Sequence, residues 1–158
     1  MIERADRGDL PAILDLQYLA YQSEADLLGD RDIPPLKQKL EDVAREFENG
    51  IILKALDAQG TIIGSVRGHS ENETLHIGKL IVHPAYQGQG IGTKLLLEME
   101  TICPKHRYAL FTSSRSLRNL TLYKRLGYVP YKEESITSRL TFIHLEKNIH
   151  ESTVDIND

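Results

Sequence analysis

Seven residues, Gln87-Gly88-Gln89-Gly90-Ile91-Gly92-Thr93, carry the clearest chemical signal in the chain. Three glycines alternate there, so the backbone can turn tightly and a ligand can reach the main chain with no Cβ in the way. Ahead of them lies an apolar, β-branched run, Leu80-Ile81-Val82, closed by His83-Pro84. After them Leu95, Leu96, Met99 and Ile102 fall on one side of a helical period. The first N–H groups of such a helix have no partners within it, and its dipole places roughly half a positive charge at that end. Strand, glycine loop and helix in this order form a phosphate site. Two familiar phosphate loops fail on spacing. A P-loop needs Lys directly after its last glycine, and here Thr93 comes before Lys94; a dinucleotide fingerprint needs G-x-G-x-x-G, and these glycines fall at G-x-G-x-G.

The loop resembles the acyl-CoA pyrophosphate loop of the GNAT superfamily of N-acetyltransferases. That loop reads Gln or Arg, two residues, Gly, one residue, Gly or Ala, and Gln87, Gly90 and Gly92 match it. Val82-His83-Pro84-Ala85-Tyr86 matches its usual lead-in of Val, Pro and an aromatic at alternate positions. A second stretch, Ser116 to Tyr128, is similar to the family's N-x-x-A-x-x-L-Y-x-x-x-G-F motif at Leu122, Tyr123, Gly127 and Tyr128. It departs where Ser116 stands for Asn and Asn119 for Ala, a pairing that a subset of the superfamily shares.

The resemblance implies acetyl transfer from acetyl-CoA, as co-substrate, to a primary amine in a ternary complex, without a metal. Leu80, Ile81 and Val82 would bind the pantetheine arm as an added strand. Gln87, Gly88, Gln89, Gly90, Ile91, Gly92 and Thr93 would hold the pyrophosphate. The oxyanion of the attacked thioester needs an N–H donor, for which Ile81 and Val82 are the candidates. Tyr123 occupies the family's position for the acid that protonates the leaving thiolate; the alternative is a core tyrosine. His76, with an ordinary pKa near 6.5, is the candidate base; the alternative is a surface histidine, with water carrying the proton. Asn119 is favoured over Ser116 as the side chain that reaches the cofactor, because its amide can both donate and accept. The rival reading is a non-catalytic acyl-CoA-binding module on the same fold, and Tyr123 argues against it.

The elements that must position these groups follow from pattern. Ile2 to Arg4 reads as a short strand, and the period Leu10, Ile13, Leu14, Gln17, Tyr18, Tyr21 as a helix to about Tyr21. Gln22 to Pro35 reads as an acidic loop with Glu24, Asp26, Asp30 and Asp32, with room for a short turn of helix near Ala25 to Leu28. That loop would suit a small-molecule or peptide amine of cationic character; plain solvation is the other explanation. From Leu36 to Phe47 a second helix is expected, ended by Asn49-Gly50. Three strands follow as an antiparallel meander: Ile51–Leu56, Thr61–Gly68 and Glu73–Val82. After the glycine-loop helix come a strand at Tyr108–Thr112, parallel to the one before it, a helix from Ser116 to Leu126, and strands at Tyr128–Lys132 and Ser138–Glu146. The expected fold is α/β of α+β type. The resemblance implies the GNAT fold, a mixed, largely antiparallel twisted sheet of six to seven strands with about four helices and a splay at the glycine-loop strand.

Composition fits this. The 158 residues suffice for one domain, read as residues 1–147 with a loose tail over 148–158. A net charge of −4 with no basic stripe argues against nucleic acid. Cys103 is the sole cysteine, so no intrachain disulfide forms, and no cluster has zinc spacing. The charged N-terminus lacks a signal-peptide core and no apolar run reaches membrane length, which suggests a cytoplasmic protein. The sequence leaves the acceptor and the oligomeric state open, a homodimer included.

Overall fold

The computed structural model describes residues 1–149. Alternating apolar residues fold the middle of the chain into the expected meander, β2 (Ile51–Leu56), β3 (Ile62–Glu71) and β4 (Thr74–Val82). Asn72, with φ 57°, lies in the tight turn between β3 and β4. The sheet grows outward on both sides of this core. On one flank β1 (Ile2–Arg4) pairs antiparallel with β2. On the other, β5 (Arg107–Ser113) pairs parallel with β4, and the hairpin of β6 (Val129–Ser135) and β7 (Thr141–Asn148) adds β7 next to β5. The order is β1-β2-β3-β4-β5-β7-β6, mixed only at the β4–β5 step.

Helices cover both faces. On one face α4 (Ile91–Ile102) brings Leu95, Leu96 and Met99, all fully buried, against Val66, Leu75 and Ile77. Each such side chain contributes about 1.5–3 kcal/mol by burial, so the helix that starts at the glycine loop is firmly seated. Leu120 and Leu122 of α5 (Leu117–Arg125) pack on the same core. On the other face α1 (Leu10–Leu28) and α3 (Leu40–Glu48) enclose Leu10, Ile13, Leu14, Val43 and Ile52.

Boundaries differ from the sequence reading by up to three residues in β3, β6 and β7, and by more in the first two helices. The first helix does not stop near Tyr21 but runs to Leu28, where Gly29 takes φ 68°. Ala25 and Leu28 are buried with Ile33 and Leu140, and that burial extends the helix. Glu24 and Asp26 therefore stand on α1 and not in a loop. The second helix is broken. A single turn, α2 (Pro34–Lys37), is followed by extended Gln38, and α3 begins at Leu40. Gln38 stays extended because its backbone carbonyl accepts from Tyr18 Oη, and its side chain bonds Gln17, Glu46 and Arg67. Asp42 Oδ2 then accepts the Lys39 N–H at 2.8 Å and caps the new helix. Finally, Asn148, assigned to the tail, is the last residue of β7; the rest of that tail from residue 150 lies outside the described residues.

Candidate active site

The parallel pairing of β4 with β5 covers only Thr74, Leu75 and His76, opposite Arg107, Tyr108 and Ala109. Past that point the strands part. On its other edge β4 carries a bulge: Arg67 faces Gly78 and Ser65 faces Ile81, so Lys79 and Leu80 together oppose one residue of β3. Lys79 there has φ 47°, a left-handed conformation that costs a non-glycine residue about 1–2 kcal/mol. The Lys79 ammonium is drawn to Glu46 Oε2 at 3.4 Å. A cavity of about 1310 Å³ fills the opening between β4 and β5, and α1 and α3 contribute to its walls.

Tyr123 of α5 reaches this cavity with 4% of its surface exposed, and its hydroxyl bonds no protein group among the described residues. Burial pushes the phenol well above its usual pKa, and the neighbouring Tyr21 phenol and Glu24 carboxyl add to the shift. Tyr21 is pushed up to about 12 by burial and by Glu24. The carboxyl of Glu24 is itself raised by burial, an effect the Ser113 hydroxyl partly offsets. These three groups form one electrostatic cluster. His76 belongs to a second, at the point where the strands part. Its ring stacks on His69 with centroids 5.1 Å apart, and its Nε2 lies 3.4 Å from Glu71 Oε1. Burial, then the charges of His69 and Arg107, lower its pKa against the opposing pull of Glu71, so the ring is neutral at pH 7.

Arg67, 6% exposed, anchors the cavity floor. It donates to Glu46 Oε1 at 2.7 Å, to Gln38 Oε1 at 3.0 Å and to Gln17 Oε1. Burial would raise the Glu46 carboxyl, but Lys79 and Arg67 together hold it below its usual value. A buried cation satisfied at each of these points fixes α1, α3 and β3 relative to one another.

The glycine loop starts from a short turn at Pro84–Tyr86, where His83 Nδ1 accepts the Ala85 N–H at 3.0 Å. His83 is thus structural. Tyr86 Oη donates to Asp57 Oδ2 at 3.2 Å and pins the turn to the β2–β3 connection. Gly88 and Gly90 take φ 80° and 82°, and Gly90 caps α4. Among the described residues, nothing beyond the chain neighbours lies within 4 Å of where a Cβ would stand on either glycine, so the main chain is open on this side.

Of the residues singled out in the sequence, His76, Leu80, Asn119 and Tyr123 line one cavity. Asn119 donates to Thr112 Oγ1 at 3.3 Å. Ser116, 9% exposed, lies outside the lining, at the start of α5. Ile81, Val82 and Gln87 to Thr93 also lie outside it, along the path from β4 into α4. Because His83 N–H donates to Ile63 O at 2.8 Å, strand alternation turns the Val82 N–H to the open edge and that of Ile81 towards β3. Sequence reasoning named Glu24 only within an acidic loop on the acceptor side and Tyr21 only as a helix residue; the structure puts both on α1, in the cavity lining. The signal was present: Gln17, Tyr21, Glu24 and Leu28 continue the helical stripe of α1.

Solved structures that superpose on this fold include acetyltransferases. The ribosomal-protein-S18-alanine N-acetyltransferase of Escherichia coli superposes with a TM-score of 0.79 at 16% identity, covering 100% of this chain and 99% of that one. The PaiA N-acetyltransferase of Thermoplasma acidophilum, in complex with coenzyme A, gives 0.77 at 19% identity over 94% and 98%. At these identities the likeness establishes the fold. The chain belongs to the acetyltransferase (GNAT) family, whose sequence model matches residues 10–128. A curated relative, UPF0157 protein YqkA of Bacillus subtilis (strain 168), is 26% identical over 117 residues. That match takes in 73% of this chain but 33% of the relative, so the chain spans about a third of the relative's length. Among the described residues no helix is long and apolar enough to cross a membrane.

Proposed function

We propose that the chain transfers an acetyl group from acetyl-CoA directly to an amine. The observation that carries this reading is Tyr123: a buried phenol in the cavity where β4 and β5 part, its hydroxyl without a protein partner among the described residues. The Gln87 to Thr93 loop and the start of α4 would hold the pyrophosphate through main-chain N–H groups. The open edge of β4 at Leu80 and Val82 would pair with the pantetheine amides. Asn119 would contact the same arm from α5.

The neutral amine attacks the thioester carbonyl carbon. The negative charge that builds on oxygen is met by an N–H on the open edge of β4, for which alternation favours Val82 over Ile81. As the C–S bond breaks, the sulfur takes a proton from Tyr123. The raised pKa keeps that proton in place at neutral pH but makes its transfer more uphill. A thiolate forming in the same buried site is destabilised too, which narrows the gap.

The amine's proton passes to Glu24, the carboxyl that shares Tyr123's electrostatic surroundings and whose pKa is raised towards neutrality. A second route, through water to His76, is favoured by that ring's neutrality at pH 7. Glu24 and Asp32 in the cavity lining suit an acceptor of cationic character.

The test follows free thiol release from acetyl-CoA with a panel of amines. Tyr123→Phe is expected to lower kcat about a hundredfold, within the range for a general acid, with the KM for acetyl-CoA nearly unchanged. The variant is expected to keep wild-type thermal stability, because the lost hydroxyl has no protein partner among the described residues. Full activity in Tyr123→Phe would overturn the assignment. Tight CoA binding with no turnover on any amine would favour the non-catalytic module.

A further inference from the structure

The hairpin of β3 and β4 sets three metal-ligating side chains on one face of the sheet. His69 and His76 are direct cross-strand partners, and Glu71 stands two residues beyond His69 on the same strand, so on the same face. One ligand atom from each lies within 4.8 Å of the others. We propose that His69, Glu71 and His76 form a binding site for a divalent transition-metal ion of the zinc class, at the edge of the cavity between β4 and β5.

Geometry and ligand chemistry both bear on this. In a tetrahedral zinc site with bonds of about 2.0–2.1 Å, donor atoms sit about 3.3 Å apart. The His76 Nε2 to Glu71 Oε1 distance is already 3.4 Å. The widest separation has to close by about 1.5 Å to reach that spacing. His69 and Glu71 are exposed, so rotation about their side-chain bonds supplies the movement while the strand register stays fixed. The stacked imidazoles need only turn their nitrogens to a common point. Two imidazoles and one carboxylate suit zinc, nickel or copper and not magnesium or calcium, which take oxygen ligands. Three protein ligands leave the fourth position open, as in zinc sites that hold water or a small molecule. The triad escapes a sequence search because its members are brought together by the pairing across a hairpin and not by a fixed spacing along the chain.

The site also adjoins the chemistry proposed above. His69 and His76 both line the cavity, so a bound ion would claim His76 as a ligand and place a positive charge at the cavity edge.

The experiment is calorimetric titration of the full chain with Zn2+, repeated with His69→Ala, Glu71→Gln and Cys103→Ser, and with Mg2+ in place of Zn2+. A parallel titration with Co2+ follows the visible absorption that imidazole and carboxylate ligation produces. The expected result is one saturable equivalent of Zn2+, weakened at least about tenfold in His69→Ala and Glu71→Gln and kept in Cys103→Ser, with no response to Mg2+. No saturable heat, or binding undiminished in both triad variants, would overturn the proposal. A separate arm rests on the acetyltransferase reading: Zn2+ slows thiol release in the wild type and not in His69→Ala, each compared with its own zinc-free rate. Failure of that arm alone would fault the use of His76 in proton transfer and leave the metal site standing.

Discussion

Replacing Gly90 by Ala isolates what the glycine loop does for a ligand from what it does for the fold. Gly90 has φ 82° and Gly60, in the turn between β2 and β3, has φ 81°. At neither position would a Cβ meet any atom within 4 Å. In the free protein both substitutions therefore cost the same thing, the left-handed backbone conformation of an L-residue, about 1–2 kcal/mol. For a chain of this size each kcal/mol lowers Tm by about 2–4 °C, so both variants should melt about 2–8 °C below the wild type. They should separate on coenzyme A. With the pyrophosphate placed at this loop as proposed, a methyl at position 90 would project into the space it needs. Calorimetry should then show at least about a tenfold loss of affinity in Gly90→Ala, which is about 1.4 kcal/mol, and wild-type affinity in Gly60→Ala. Equal affinity in the two variants would refute the placement of the pyrophosphate at this loop. Unequal melting would refute the matched strain on which the comparison depends.

Glu24→Gln should act on stability and on catalysis with different pH signatures. Burial raises the carboxyl above its ordinary value of 4.5, so the fold loses stability as pH rises from there through the raised value. The variant should melt above the wild type at pH 7–8, and the difference should vanish below about pH 4, where both side chains are neutral. If Glu24 is the base, the acidic limb of the kcat/KM profile disappears in Glu24→Gln and persists in His76→Gln; the reverse pattern would hand the role to His76. Gly50→Ala should be severe for a steric reason alone, since its Cβ would stand 2.3 Å from the backbone oxygen of Gly68. Overpacking of this kind costs about 1–3 kcal/mol, and thermal melts with unchanged Tm would show that β2 and β3 separate there without penalty.

How much of this was legible depended on what each residue had to satisfy. Gly88 and Gly90 could be read because a left-handed backbone beside an open ligand path leaves glycine as the residue that fits without strain. The meander and the parallel crossover could be read because buried strands repeat with a period of two, and a right-handed crossover follows from handedness. Tyr123 was legible through its motif, while the lack of a partner for its hydroxyl among the described residues was not, since that depends on what the neighbouring elements fail to supply. The break at Gln38 was hidden for a related reason. Its period continues the helix, and it is the demand of Tyr18, Gln17, Glu46 and Arg67 for its backbone and side chain that holds it extended.

The largest omission, the cavity face of α1, has a general cause. A search for amphipathic helices counts apolar residues towards the core and polar ones towards solvent. A helix that walls a cleft breaks this rule, because part of its inward stripe must be polar to face the site and the buried groups behind it. Gln17, with none of its surface exposed, holds Arg67; Glu24, one turn beyond Tyr21, faces the same cavity as Tyr123. Both look like interruptions of the stripe, yet one lines the cavity and the other braces the buried arginine at its floor. The same logic explains why an arginine stands in the middle of a buried strand. Arg67 is offset by Glu46, Glu46 also draws Lys79, and Lys79 holds the left-handed turn of the bulge. The bulge is thereby tied through ion pairs to α3 and through the Arg67–Gln17 hydrogen bond to α1. If the proposed donor at Val82 works by being fixed in place, its precision originates in this chain of charges. A single polar residue inside an otherwise apolar stripe is then a place to look for a site before it is taken as the end of a helix.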